Sequence, residues 1–426
     1  MISKLFASSL FSGSSIYLIS NILAAAIPFA ILPILTRYLS PAEYGQIAIF
    51  QTLLTGLGAF IGISAQGIAG VKYYDNKMTQ QEQRYFIGSC FMVLAATSLL
   101  SLLVVLIFKQ QLIAWLNIEV HWLVLSVFVT TAGFVATMRL NQWQVRKQAV
   151  KYGTFLVSQS VLNLVLSLLL VVYFLQGADG RILVICVSTL VFSVVAGMLL
   201  YKDDIVAFAW KPGYIREIVN FGVPLMPHVI GNFLLLSVDR FVINEKLGMT
   251  EVGIYMVAVQ LVSILALLFD SFHNAYVPWL YEKLKSNSFL QNQQLVKWTY
   301  IYFLALLLIA ALSFLVGPTV LVIIAGDKYK SASDFIGWLV LGQIFGGMYL
   351  MVTAYIFFSQ KTGLLSVLTI TSGLVNVGLM IFLINIMDVK GAAIAFAASM
   401  AIKFLLTWYV AQLRHPMPWF NFRTAS

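Results

Sequence analysis

The chain has 426 residues, of which 61% are hydrophobic and only 10% charged, and its formal net charge is +10 at pH 7. Soluble domains run at about 45–50% apolar and about 25% charged, so this composition, with a mean hydropathy of +0.92, excludes a water-soluble globular fold. A basic surplus on one hydrophilic face would suggest nucleic acid, but here it is scattered through short loops, which excludes that class of partner.

A helix needs about 20 mostly apolar residues to cross a hydrocarbon core of about 30 Å, and the sequence offers twelve such runs. The first, residues 11–36, is too long for the apolar core of a signal peptide and is followed by eleven more. Ser14, Tyr17 and Asn21 share one of its faces, Pro28 and Pro33 are places to bend, and Arg37 stands at its far end. "YLSPAEYG" at 38–45 then sets Ser40 three residues before Glu43, with Pro41 between them. That is the pattern of a capping box opening a helix. It returns as "KLGMTEVG" at 246–253, where Leu39, Glu43 and Gly45 recur as Leu247, Glu251 and Gly253 at one constant offset.

The second run, 44–70, places Thr52, Thr55, Gly62 and Gln66 along one helical face. The next four, 85–108, 119–139, 153–176 and 182–201, hold both cysteines, Cys90 and Cys186, which read as small core residues. "YKDDIVAFAWKPGYIRE" at 201–217 has the charges, proline and glycine of a linker. The seventh run, 215–244, contains Pro224 and Pro227 and a face with His228, Asn232 and Asp239. Adjacent helical residues do not share a face, so Asp239 and Arg240 are expected to diverge.

The eighth run, 253–276, aligns Gln260, Ser263, Asp270 and Asn274 on one face, and the constant offset maps them onto the polar face of the second run. Small and hydroxyl residues also serve close helix packing, but Gln66, Asp270 and Asn274 are costly for that purpose alone. The last four runs are 298–325, 333–358, 363–386 and 391–413. Lys403 lies deep in the final one, roughly 18 Å from either end at 1.5 Å per residue. A charge at that depth costs at least about 2.5–3.5 kcal/mol, so it either pairs, with Asp270 the obvious partner, or faces a ligand.

These runs predict an all-α integral membrane protein of twelve transmembrane helices, arranged as two six-helix lobes. Six spans per lobe insert both copies in the same direction, a parallel repeat. The lobes are expected at 1–201 and 215–413, with a linker at 202–214 and a tail at 414–426. Basic residues, from Lys4 through Lys361 to Arg423, favour the side of both termini by about two to one, which places the termini in the cytoplasm. No phosphate-cradling glycine loop, HExxH, paired CxxC or catalytic triad is present, so an enzyme is not expected.

"FGVPLMPHVIGNFLLLSVDRFVINEKLGMTEVGIY" at 221–255 resembles a signature of bacterial O-antigen and polysaccharide repeat-unit flippases, of the multidrug, oligosaccharidyl-lipid and polysaccharide exporter superfamily. "LTRYLSPAEYGQIAIFQTL" at 35–53 and "NVGLMIFLINIMDVKGAAIAFAAS" at 376–399 are similar to that family's first and last hairpins. The resemblance implies a central cavity between the lobes, opened to each side in turn, that carries an oligosaccharide on undecaprenyl pyrophosphate across the bacterial inner membrane. It implies that Arg37, Arg240 and Lys403 meet the pyrophosphate, and its cavity helices 1, 2, 7 and 8 fit the polar stripes, whose Gln66, Gln260, Asp270 and Asn274 are expected to line the cavity. It further implies a coupling cation, sodium or a proton, at Asp239 and Asn376, although Leu379 and Met380 stand where some relatives carry a second carboxylate. No other cofactor and no metal is expected, and polysaccharide polymerase machinery is the expected protein partner. A cation-coupled drug exporter of the same superfamily is the first alternative, and a membrane polymerase or ligase the second.

Overall fold

The computed structural model describes residues 9–285, 288–360 and 363–419. Lys4, Lys361, Arg423, the side chain of Ser14 and the end of the expected tail lie outside the described residues. The fold is nearly all helical, and among the described residues ten helices are long and apolar enough to cross a membrane. Many of their side chains are bare, Leu315 at 77% exposure among them. Apolar surface on that scale is stable only against lipid, which makes the chain a multi-pass membrane protein.

The chain divides into two compact units, Met1–Ile230 and Gly231–Ser426. In the first, α1 (Ser9–Tyr38) keeps Pro28 and Pro33 inside a continuous helix. The expected capping box then opens α2 (Pro41–Gly58), Ser40 N–H donating to Glu43 Oε2 at 2.7 Å and Glu43 N–H to Ser40 Oγ at 3.3 Å. Beyond α3 (Ala65–Lys72) a second capping box, Thr79 with Glu82, opens α4 (Gln80–Ile107). The unit continues with α5 (Lys109–Leu116), α6 (Val120–Val145), α7 (Ala149–Ser167, ending in a π-helical turn at Leu168–Tyr173) and α8 (Gly177–Lys202). Residues 205–211 of the predicted linker lie outside any helix and touch α4 at Ala207, whose N–H donates to the Arg84 carbonyl at 3.2 Å and whose own carbonyl crosses Gly88 so closely that a Cβ there would sit 2.0 Å from it.

The second predicted span is broken. α2 stops at Gly58, and Gly62, Ile63 and Ser64 all take positive φ before α3 begins. Gly62 donates its N–H to Thr97 Oγ1 at 2.9 Å, and the Phe134 ring fills the space its side chain would need. Thr52, Thr55, Gly62 and Gln66 therefore do not form the continuous helical stripe the spacing predicted.

α9 (Pro212–Leu236) crosses the boundary between the units, and the second unit continues with α10 (Asp239–Leu247), α11 (Met249–Lys285), α12 (Phe289–Ala325), a 3-10 segment (Asp327–Asp334), α13 (Ile336–Phe358) and α14 (Gly363–Arg414). The eleventh and twelfth predicted spans both fall in α14, which has non-helical backbone at Met387 and Asp388. The seventh span breaks at Ser237 and Val238 and not at its prolines, because Pro224 and Pro227 stay inside α9.

Packing follows the same order in both units. In the first, α1 lies on α7, α2 on α6, and α6 on α8. In the second, α10 lies on α14, α11 on α13, and α13 on α14. Glycine permits the closest approaches: a Cβ on Gly153 would meet Ser20 Oγ at 2.1 Å, and one on Gly373 would meet the carbonyl oxygen of Gly231 at 2.6 Å. Small residues let helix backbones approach in lipid, where no hydrophobic force drives the helices together.

Candidate functional site

The break after Leu236 leaves the last carbonyls of α9 without helical partners. Long-range side chains supply them. Asn376 of α14 donates its amide nitrogen to the carbonyls of Leu234 at 3.1 Å and Leu235 at 3.3 Å. Arg240 Nη1 donates to the carbonyl of Leu236. The Asn376 Oδ1 atom is buried without a hydrogen-bond partner.

Asp239 opens α10, where a carboxylate is favoured by the helix dipole. Its Oδ1 accepts from Arg240 Nη1 at 2.7 Å and from the Arg240 backbone N–H at 3.0 Å, while its Oδ2 accepts from the Tyr255 hydroxyl at 2.7 Å. Both members of the pair are buried. The expectation that adjacent residues diverge is thus overturned, because the rule applies within a helix and this pair stands at a helix start after a break.

Asp239, Arg240, Tyr255, Ser263 and Gln343 are the polar lining of a cavity of about 270 Å³ in the second unit, walled by Leu236, Val259, Val262, Ala266, Leu339 and Phe396. Lys403, on α14, is 6% exposed and holds its ammonium 4.3 Å from the centroid of the Tyr349 ring of α13. It makes no ion pair among the described residues, and Asp270, the expected partner, is exposed. A cation over an aromatic face gains about 0.5–2 kcal/mol, less than a buried ammonium loses on leaving water.

The remaining predicted residues are dispersed. Gln260 is half-buried one turn before Ser263, and Asn274 is exposed further along α11. Arg37 is exposed in the last turn of α1, and Gln66 is half-buried in the first turn of α3. Tyr255, Gln343 and Tyr349 were not foreseen. Gln343 carried a usable signal as the sole side-chain amide in the run 333–358. Arg181 is buried in α8 and donates to Asn163 Oδ1 at 2.7 Å and Ser167 Oγ at 2.6 Å.

A sodium ion does not fit the donors at Asp239 in this arrangement. Both carboxylate oxygens are already engaged, and Arg240 supplies the compensating charge. Among the described residues no group of three or more His, Cys, Asp or Glu side chains is placed to hold a metal ion.

A profile of the family described as polysaccharide biosynthesis protein matches residues 10–284. An uncharacterized membrane protein of Haemophilus influenzae is 25% identical over 376 residues, covering 87% of this chain and 89% of that protein. Among solved structures, the lipid II flippase MurJ in an inward closed conformation aligns with a TM-score of 0.74 at 13% identity, over 94% of this chain and 87% of its own. An inward-facing multidrug resistance MATE family transporter of the MOP superfamily aligns with a TM-score of 0.70 at 15% identity, over 94% of each chain. At such identities the likeness is one of fold, and function must be argued from the site. The chain belongs to the polysaccharide biosynthesis protein family, on a fold shared with MurJ and the MATE transporters.

Proposed function

We propose that this protein is a flippase that carries an oligosaccharide repeat unit, linked to undecaprenyl pyrophosphate, from the cytoplasmic to the periplasmic leaflet of the bacterial inner membrane. Both termini face the cytoplasm, and transport proceeds by alternating access with no covalent step. The observation that carries this reading is Lys403, a buried cation that makes no ion pair among the described residues. An intramembrane charge of this kind marks a substrate path, and a pyrophosphate is the counter-charge it lacks. Arg240, on the wall of the cavity in the second unit, adds a second cation. Family membership supports a sugar substrate, and the MurJ-like fold supports a lipid carrier.

Coupling acts at Asp239. A coupling cation there has to displace the Arg240 guanidinium from the carboxylate, which would free Arg240 for the substrate. The MATE-like fold favours one competing reading, a cation-coupled drug exporter.

A null strain separates the two. Accumulation of lipid-linked repeat unit on the inner leaflet, reversed by the gene, is the expected result. Unchanged repeat-unit levels together with lost drug resistance would establish the exporter instead.

A further inference from the structure

The chain does not leave the second unit when α14 ends at Arg414. Residues 415–419, "HPMPW", fold back on it, and both Met417 and Trp419 are buried outside any helix. Met417 N–H donates to Gln412 Oε1 at 2.9 Å, so the segment turns against the last residues of α14. Pro416 and Pro418 fix two backbone angles and reduce the entropy lost on docking.

The Trp419 indole is wedged between three helices. Its ring lies edge-on to Tyr300 of α12 at 6.0 Å, to Tyr355 of α13 at 5.8 Å and to Trp408 of α14 at 5.2 Å. The Tyr300 hydroxyl donates to the Trp419 carbonyl at 2.9 Å. Beside it the His415 ring lies parallel to Tyr355 at 6.2 Å and edge-on to Phe358 at 5.3 Å, and Phe358 in turn touches Tyr281 of α11 at 5.4 Å. One short segment thus contacts the first turns of α12 and the last turns of α13 and α14. A tail that needed only to leave the membrane would not bury its tryptophan.

We propose that residues 415–419 are a strap that locks the ends of α12, α13 and α14 into one rigid body, and that undocking Trp419 lets these ends loosen together. The contacts of the strap are spread over three helices, so their common loss is what distinguishes a lock from a passive tail. The strap stands independently of the substrate and operates whether the protein carries lipid-linked sugars or drugs.

The test is hydrogen exchange on the full chain in lipid nanodiscs, comparing the parent with Trp419→Ala and Trp419→Phe. Trp419→Ala is expected to raise exchange about tenfold in residues 295–303, 351–358 and 404–411 together, while Trp419→Phe stays within about threefold of the parent. Exchange that rises only in residues 412–419, or nowhere, overturns the proposal. Should Trp419→Ala not fold, Tyr300→Phe removes a single hydrogen bond, and a rise of about twofold to threefold shared by all three segments is then expected. Its confinement to the strap, or its absence, overturns the proposal equally.

Discussion

Asp239 and Arg240 are neighbours in sequence and partners in space, their side chains joined at 2.7 Å inside the second unit. Removing one partner of a buried pair leaves an uncompensated charge and costs about 3–5 kcal/mol, whereas removing both together is often close to neutral. Arg240→Ala and Asp239→Ala are each expected to lower the melting temperature of the purified protein sharply, and the double variant to recover most of the loss. A double variant as unstable as the sum of the two would mean that the residues do not act as a pair.

Lys403 invites the opposite experiment. It is buried over Tyr349 with no carboxylate partner among the described residues, so Lys403→Met removes a desolvated charge while keeping most of the side-chain volume. The variant is expected to be at least as stable as the parent, at normal protein level, and to export far less repeat unit. Full export by Lys403→Met would remove this residue from the substrate path.

Asn376 holds the broken end of α9 from α14. Replacing it with leucine leaves the carbonyls of Leu234 and Leu235 buried without donors, at a cost of about 1–3 kcal/mol. Thermal unfolding in detergent should show the decrease. A neutral result would indicate that water reaches the helix break.

Gly62 makes the corresponding point in the first unit. Its φ is +76°, and a Cβ would stand 2.5 Å from the Phe134 ring. Gly62→Ala is expected to destabilise by about 1–3 kcal/mol from backbone strain alone, and Phe134→Ala in the same chain relieves only the steric part. Equal stability of parent and Gly62→Ala would show that the turn relaxes.

His415 gives the strap a pH dependence whose sign can be worked out. Burial holds its imidazole below the usual value. The unfolded chain then binds more protons than the folded one between that lowered value and about 6.5, so stability rises with pH across this window. Above about 6.5 both states are neutral and the contribution is flat; it is lost progressively as pH falls below. Exchange in the strap should therefore increase from pH 7.5 to pH 5.5, after correction for intrinsic rates, and the increase should vanish in His415→Phe.

The membrane-spanning character was legible in the sequence because hydropathy is a local property: a run must be apolar over its own length to lie in lipid. The capping box at Ser40 was legible for the same reason, since its donors and acceptors lie three residues apart. The two interrupted helices were not. Proline at 28, 33, 224 and 227 was the visible warning of a bend, yet all four stay within helices. The breaks fall where distant groups take over backbone hydrogen bonds, Thr97 at Gly62 and Asn376 at Leu234.

The candidate site divides along the same line. Arg240, Asp239 and Lys403 were recognisable because any ionisable group in an apolar run must be explained. Their partners were not recognisable, since Tyr255 and Tyr349 look like ordinary aromatic residues until packing brings them to a charge.

By itself the sequence determined that this chain lives in a bilayer and which charges are exceptional. Tertiary structure alone decided where helices stop, that Asp239 neutralises Arg240, and that Lys403 has no such partner among the described residues. Hydropathy is summed along the chain, whereas hydrogen bonds and charge pairs in a dry interior are settled between residues as far apart as Leu234 and Asn376.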